Sequence, residues 1–595
     1  MSNIIPPQFI LLIGALVVPF LRGRIQQIIM LLVPLLTFGA YLQMEEGVYW
    51  VVKLLDFELT FGRADKLSLI FVNIFTLVSF IAALYNIKTG SNLEHFAGLL
   101  YAGCAVGMVL AGDLITLFIF WEMLTVGAVL LILARKSSTS MGAALRYVLV
   151  HIVGGLILLS GIVLHIAEFG SIEFNQIGLS NRSSYLIFIG FGLNCAWPLL
   201  HAWLPDAYPE ATVGGVIYMA AFTTKGAIYA LMRGFPGEPS LVWIGVAMAI
   251  FSLFYALLAN DLRRVLAYSI INQVGFMVIG IGMGTALALN GAAAHVYCHV
   301  LYKSLLFMSI GAVILQTGGK SKITELGGLF KSMPITGVFC LIGALAISTP
   351  LFSGFVSKSM LVSAAGKAHL TIVWLVLLYA SAGVFLCAGL KVPFFTFFSK
   401  DRGIRVKEAP VNMLVAMGIT ALLCIAVGMF PHQTIYKMLP FSMKYAYEPY
   451  TFSHINAQIL LLTFSILAFV LMLLSGFYPA TKKAILLDID WVYRSLSKQF
   501  YKVMDKGLNG LNVVTGNLFI NGITHGVCRF ASNGAAKSSL LVMKPVWKMS
   551  GLSNEDVTIQ EAQLLKTFEK GTTAIGIGSV LVLITLSILT ITAIV

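Results

Sequence analysis

The sequence predicts an all-α integral membrane protein of about sixteen transmembrane helices, built on two inverted five-helix repeats whose seventh and twelfth helices are broken. Three observations predict it. Of 595 residues, 58% are hydrophobic and 11% charged, with a mean hydropathy of +0.91. A water-soluble domain carries about 25% charged residues, so this chain has too little polar surface to cover one. Apolar blocks near the ~20 residues needed for a helical crossing recur between short polar segments. Prolines interrupt two of these blocks, five crossings apart, where a pair of corresponding repeats would place them.

The blocks lie at 4–21, 27–42, 67–88, 95–112, 114–134, 145–168, 184–200, 212–233, 240–259, 265–286, 291–316, 334–366, 371–390, 411–430, 456–478 and 574–594. The first has no basic residue before it, ends in Pro19 and Phe20, and is followed by Arg22 and Arg24, so it is expected to remain as an anchor and not to be cleaved as a signal. The net charge of +14 is spread over loops and does not form a nucleic-acid-binding arm. Arg22 and Arg24, Arg135, Lys136 and Arg146, Arg263 and Arg264, Lys320, Lys322 and Lys331, and Lys400, Arg402, Arg405 and Lys407 all fall between an odd and an even crossing. By the positive-inside rule those loops are cytoplasmic, both termini face outward, and the chain is a multi-pass protein of a cell inner membrane. The loop after the second block fits the outer side, being acidic (Glu45, Glu46, Asp56, Glu58, Asp65).

The expected organisation is 1–94, N-terminal crossings; 95–233, first repeat; 240–390, second repeat; 391–478, C-terminal crossings; 479–573, an amphipathic segment; and 574–595, a final crossing. The 479–573 segment mixes Lys, Ser and Asn with Trp491, Tyr493, Leu496, Phe500 and Tyr501, which suits a helix at the membrane surface or against neighbouring subunits. The seven cysteines lie mostly inside crossings with no C-x-x-C pair, so no metal, iron–sulfur cluster or other cofactor is expected. Gly280, Gly282 and Gly284 read as close helix packing, not as a nucleotide loop.

An ionisable group at bilayer depth costs roughly 2.5–3.5 kcal/mol, so four of them left unpaired come to roughly 10–14 kcal/mol and call for a hydrated path. Glu122, Lys225, Lys303 and Lys358 are those four. His295, His299 and Lys303 recur every fourth residue and form one stripe about 12 Å long on a helix. Imidazole accepts a proton on one nitrogen and releases one from the other, so the stripe reads as a proton ladder and not as a metal cage. The breaks are Pro198, Pro205 and Pro209 around the seventh crossing and Pro350 before Ser353-Gly354-Phe355 in the twelfth. Proline frees carbonyls that membranes tolerate only where they line protein or water.

These residues resemble, over 65–430, the antiporter-like subunits shared by respiratory complex I, membrane-bound hydrogenases and Mrp-type multi-subunit cation/proton antiporters. Trp121-Glu122 resembles the family's fifth-helix glutamate site, and His201-Ala202-Trp203-Leu204-Pro205-Asp206-Ala207 its H-x-W-L-P-D-A signature. Lys225 resembles the eighth-helix lysine, Asp261-Leu262-Arg263-Arg264-Val265-Leu266-Ala267-Tyr268-Ser269 the D-x-K/R-R-x-L-A-Y-S stretch, His295-x-x-x-His299-x-x-x-Lys303 the eleventh-helix ladder, and Lys358 the twelfth-helix terminal site. One departure stands out: nine residues before Trp203, where proton-pumping members carry a lysine that pairs with the glutamate, this chain has Asn194, which cannot titrate. Either Lys225 takes over, or the inlet half of the path is altered, or another ion moves; retained proton transfer with different coupling is the favoured expectation.

The resemblance implies a proton relay of Glu122, Lys225, His295, His299, Lys303 and Lys358, with Asn194, His201, Asp206, Arg263 and Arg264 as tuning residues and no catalytic site on this chain. It implies other integral membrane subunits as partners and protons with Na⁺ or K⁺ as the ions. Tyr208-Pro209-Glu210-Ala211-Thr212 and Leu487-Asp488-Ile489-Asp490-Trp491-Val492-Tyr493-Arg494 look like the D-type member of the Mrp-type antiporters, whereas sixteen crossings with a long polar segment before the last look like the longest complex I antiporter-like member. Three functions stay open: a Na⁺ or K⁺/proton antiporter subunit, a proton-pumping subunit of a redox-driven NADH–quinone or hydrogenase complex, and an energising subunit of an inorganic-carbon accumulation complex.

Overall fold

The computed structural model describes residues 5–443, 446–476, 478, 486–569, 582–587 and 589. The chain divides into two units, Met1–Ile489 and Asp490–Val595. In the first, the helices are α1 (Pro7–Val17), α2 (Gly23–Leu42), α3 (Lys66–Asn86), α4 (Asn92–Leu110), α5 (Leu114–Leu133), α6 (Ser138–Phe169), α7 (Arg182–Asn194), α8 (Trp203–Ala207), α9 (Gly215–Ala221), α10 (Thr223–Gly234), α11 (Pro239–Leu258), α12 (Leu262–Met283), α13 (Ala286–Gln316), α14 (Pro334–Leu345), α15 (Ser353–Lys367), α16 (Thr371–Val384), α17 (Lys391–Pro393), α18 (Val411–Met429) and α19 (Phe452–Leu474). Side chains at the breaks between apolar blocks start them: Asp65, Ser91, Asp113, Ser137, Asn181, Thr285 and Thr451 each accept a hydrogen bond from a first-turn backbone N–H.

Among the described residues, twelve helices are long and apolar enough to cross a membrane, fewer than the sixteen expected. The difference has a physical reason in three of the four missing cases. The first block stops at Pro19 and gives only Pro7–Phe20, the seventh is cut to the 13 residues of α7, and the twelfth is divided into α14 and α15. Of the sixteenth, 574–594, only 582–587 and 589 lie among the described residues. The all-α expectation also misses a hairpin, β1 (Gly47–Leu54) paired antiparallel with β2 (Phe57–Ala64), in the loop taken only as acidic. There the run Val48-Tyr49-Trp50-Val51-Val52 favours an extended chain.

The two breaks share a backbone device. At each, a proline is followed by a leucine in the left-handed region, Leu199 (φ 71°) after Pro198 and Leu351 (φ 70°) after Pro350. A branched side chain there costs on the order of 1–3 kcal/mol and persists only where the surroundings over-determine it. The core lies on α3, α4, α9, α10, α12 and α13, which are buried almost end to end, while α2, α6 and α19 keep a broad apolar face exposed. Gly245 and Gly275 allow α11 and α12 to touch backbone to backbone: a Cβ on either would lie under 3 Å from the other's carbonyl oxygen.

The second unit carries α20 (Asp490–Met504), α21 (Gly510–Thr515), α22 (His525–Met549) and α23 (Asn554–Glu569), with wider π-helical turns joining the first three into one long rod. α23 folds back on α22 through Leu540, Trp547 and Val557 and the Lys544–Glu561 ion pair (2.7 Å). Trp491, Leu496, Phe500 and Tyr501 remain exposed on α20.

Candidate functional site

α13 is buried over nearly its whole length, and it places His295, His299 and Lys303 at zero exposure on one side. The His295 and His299 ring centroids are 6.1 Å apart, and His299 stands edge-on to Tyr302 at 5.3 Å. A ring-to-ring separation of about 6 Å exceeds a direct hydrogen bond, so a proton crosses it by way of a water or a ring rotation. His295 Nδ1 meets Ser357 Oγ at 2.9 Å, whereas neither ring nitrogen of His299 has a partner among the described residues.

The amines follow one pattern. Lys225 Nζ donates to the Ala220 carbonyl (2.7 Å) and Thr224 Oγ1 (3.0 Å), at the bend where α9 gives way to α10. Lys303 Nζ donates to Ser269 Oγ on α12 (2.6 Å). Lys358 Nζ donates to Ser348 Oγ beside the second break (2.9 Å) and lies 5.2 Å from the centre of the Phe276 ring. No ion pair to a carboxylate is found for any of the three among the described residues. Lys391 shows the contrast: its ammonium is held by the carbonyls of Ala256 (3.1 Å), Leu257 (2.6 Å) and Ala259 (2.8 Å) at the C-terminal end of α11, a fixed cap on the negative end of a helix.

Glu122 is less enclosed than the three amines. It is half-buried on α5, its Oε1 is enclosed without a partner among the described residues, and it makes no ion pair with Lys225. Its carboxylate rests in a notch made by Gly155 of α6, where a Cβ would lie 2.0 Å from Oε1. Asn194 ends α7, buried, with Nδ2 unpartnered among the described residues.

The other tuning candidates gather around the first break. Asp206 accepts a two-pronged bond from Arg146 (2.7 and 3.0 Å), and Arg263 Nη1 donates to the carbonyls of Pro209 (3.0 Å) and Ala211 (2.7 Å), which the break leaves free. Arg264 is only half-buried, and its backbone N–H caps onto Asp261 (3.1 Å).

His201 finds a partner that the sequence reading missed. Its Nε2 meets Asp488 Oδ1 at 3.1 Å, and Tyr268 Oη donates to Asp488 Oδ2 at 2.6 Å. A carboxylate only accepts, so the proton on His201 is assigned to Nε2. Burial acts to raise the Asp488 carboxyl, but the hydrogen bonds from His201 and Tyr268 outweigh it and hold the group below its usual range. The folded value lies below the unfolded one, so this clasp is fully present above about pH 3.9 and is lost as pH falls through the lowered folded value. Asp488→Ala is expected to cost about 3 kcal/mol, read as a lower unfolding midpoint of the detergent-solubilised chain at pH 7 and a smaller difference from wild type under acid.

Three more buried side chains escaped the sequence reading: Tyr101, Tyr147 and His151. Tyr101 Oη bonds Thr223 Oγ1, and Tyr147 Oη lies 3.4 Å from the same oxygen. His151 stacks on Tyr147 at 3.8 Å. The signal was present as an imidazole inside an apolar block, four residues after a tyrosine.

With this geometry in place, comparison with known proteins decides the family. The profile for "NADH:quinone oxidoreductase/Mrp antiporter, TM" matches residues 111–392, the stretch that holds every amine and imidazole above. NADH-quinone oxidoreductase subunit N of Desulforudis audaxviator is 30% identical over 376 residues, 57% of this chain and 74% of that protein. The chain belongs to this family. It is an antiporter-like membrane protein of the kind found as one component of larger complexes, and its other relatives lie on both branches. A component of the Na(+)/H(+) antiporter of Alkalihalophilus pseudofirmus is 28% identical over 499 residues, 72% of this chain, and the chain spans 61% of that protein's length. The fold matches a chain of the membrane-bound sulfane sulfur reductase, an archaeal respiratory membrane complex, with a TM-score of 0.70 and 23% identity over 86% of this chain and 95% of that one.

Proposed function

We propose that this family member is the proton-translocating subunit of a multi-subunit Na⁺ or K⁺/proton antiporter, passing protons along Glu122, Lys225, His295, His299, Lys303 and Lys358. The observation that carries the reading is that Lys225, Lys303 and Lys358 are buried and donate to neutral hydroxyls and a carbonyl, with no carboxylate counter-ion among the described residues. A structural ammonium is locked as Lys391 is; one facing a hydroxyl can hand its proton on and take another. Beyond Lys358, α15 carries Ser363 into a cavity of about 590 Å³ lined also by Lys367, Glu448 and His454, which gives the relay an outlet on the outward side in the positive-inside orientation.

The paired Pro–Leu breaks support reading 95–233 and 240–390 as inverted repeats with the path at their interface. The apolar residues exposed along α20 suit contact with other membrane subunits. In membrane vesicles holding the assembled complex, addition of NaCl or KCl is expected to collapse a preformed pH gradient. A gradient that responds only to NADH or another reductant would instead favour the second reading, a proton pump in a redox-driven complex, which the likeness to NADH-quinone oxidoreductase subunit N supports. Co-purification of a large zinc protein, with neither response, would point to the carbon-accumulating alternative.

A further inference from the structure

We propose that His151 is the titratable group that links Glu122 to Lys225 in this chain, standing in for the base absent at Asn194. The inference rests on the proton-translocation reading. His151 is 2% exposed on α6, and its Nδ1 lies 2.9 Å from the Tyr147 carbonyl. A carbonyl oxygen only accepts, so Nδ1 carries the hydrogen and the neutral ring presents its lone pair on Nε2. Nε2 is buried and has no partner among the described residues, which leaves an acceptor aimed into the protein.

Its surroundings join the two halves of the path. One turn along the same face of α6, about 6 Å away, lies Gly155, whose missing side chain makes the notch holding Glu122 Oε1. That oxygen is the second unpartnered polar atom here, and Asn194 Nδ2 is the third. Trp203 stands edge-on to the His151 ring at 4.7 Å, and its Nε1–H donates to the carbonyl of Leu193 (3.1 Å), the neighbour of Asn194. The indole therefore positions the imidazole against the end of α7.

In the other direction the ring stacks on Tyr147, whose hydroxyl reaches Thr223 Oγ1 (3.4 Å) beside Thr224, the residue that accepts from Lys225. A proton leaving Glu122 is taken by Nε2 as Nδ1 keeps its own. After a ring rotation the imidazolium releases the Nε2 proton, by way of water and the Tyr147 and Thr223 hydroxyls, to a neutral Lys225, and the carboxylate is reprotonated from outside the chain. No bond other than N–H and O–H is made or broken.

Membrane vesicles holding the full complex test this, with the pH gradient followed on adding NaCl or KCl. His151→Gln keeps a neutral polar side chain and is expected to slow cation-dependent proton movement about 100-fold at normal incorporation. It should also erase the limb of the pH–rate profile that a titrating imidazole contributes, and Asn194→Lys in the same background should recover most of the rate. An unchanged rate, or a reduced rate that keeps the limb, overturns the proposal. If His151→Gln does not assemble, Tyr147→Phe decides: a slower rate with intact assembly supports the link, and no change sinks it. Lys225→Ala separates the two claims. If it abolishes exchange while His151→Gln does not, only the present inference falls; if neither has an effect, the proton-translocation reading falls with it.

Discussion

Lys303→Ala in the assembled complex is expected to lower cation-dependent proton movement by about 100-fold or more, the scale of losing a positioned proton-transfer group, while the chain folds and incorporates normally. Stability survives for a stated reason. Ser269 Oγ, the acceptor of Lys303 Nζ among the described residues, also lies 2.8 Å from the Leu266 carbonyl and donates to it, so removing the amine leaves that hydroxyl satisfied. Deleting an ionisable group that has no counter-ion also removes a cost of roughly 2.5–3.5 kcal/mol. The expected pattern is an unfolding midpoint equal to or above wild type with transport lost. A lowered midpoint with transport retained would mean that Lys303 is structural. Measuring both on one preparation separates the two.

Lys358 should show a chemical signature of its own. Its Nζ reaches Ser348 Oγ at 2.9 Å and Ser381 Oγ at 3.5 Å, two hydroxyls that donate as readily as they accept. Lys358→Met keeps length and bulk without a titratable group, and is expected to lose about 100-fold in rate. Lys358→Glu can accept hydrogen bonds from the same two serines and can still gain and lose a proton, so it should retain more activity than the methionine variant, with its pH–rate profile displaced toward acid. Equal loss in both would show that position 358 needs a cation and not a proton carrier.

How much of this could be read from the chain depends on the range of the signal. The positions of the crossings follow local apolar blocks, and the breaks after Pro198 and Pro350 follow from proline chemistry, so both were legible. The four-residue spacing that puts His295, His299 and Lys303 on one side of α13 is local as well. The hairpin at 47–64 was missed because β1 is a short continuous run, Val48-Tyr49-Trp50-Val51-Val52, without the alternation that marks a strand with one buried face. The hydroxyl partners of Lys303, Lys358 and His295 were not legible, because Ser269 and Ser357 come from other helices and Ser348 from the turn after α14, and each looks like any small residue in a membrane span. Asp488 meets His201 across 287 positions of sequence, a contact no spacing rule anticipates. His151 lies in an apolar block as His295 and His299 do, but no second imidazole or amine stands four residues away to mark it.

The half-buried setting of Glu122, against complete burial of Lys225, also changes the picture of the path. In the proposed relay, a half-buried Glu122 whose Oε1 is set against Gly155 fits a point of exchange with an adjoining subunit or with solvent. The fully enclosed amines and imidazoles are then the stretch that the proposal assigns to this chain alone.

The central claim is that this stretch moves protons, and it is tested most directly by internal pH. Proteoliposomes holding the whole complex, loaded with a trapped pH indicator and clamped at a fixed membrane potential, would be given Na⁺ or K⁺ on one side. Wild type is expected to show a cation-triggered internal pH change, and Lys225→Ala, incorporated at the same density with all partner subunits present, is expected to show none. An equal pH change in the two preparations would contradict the account.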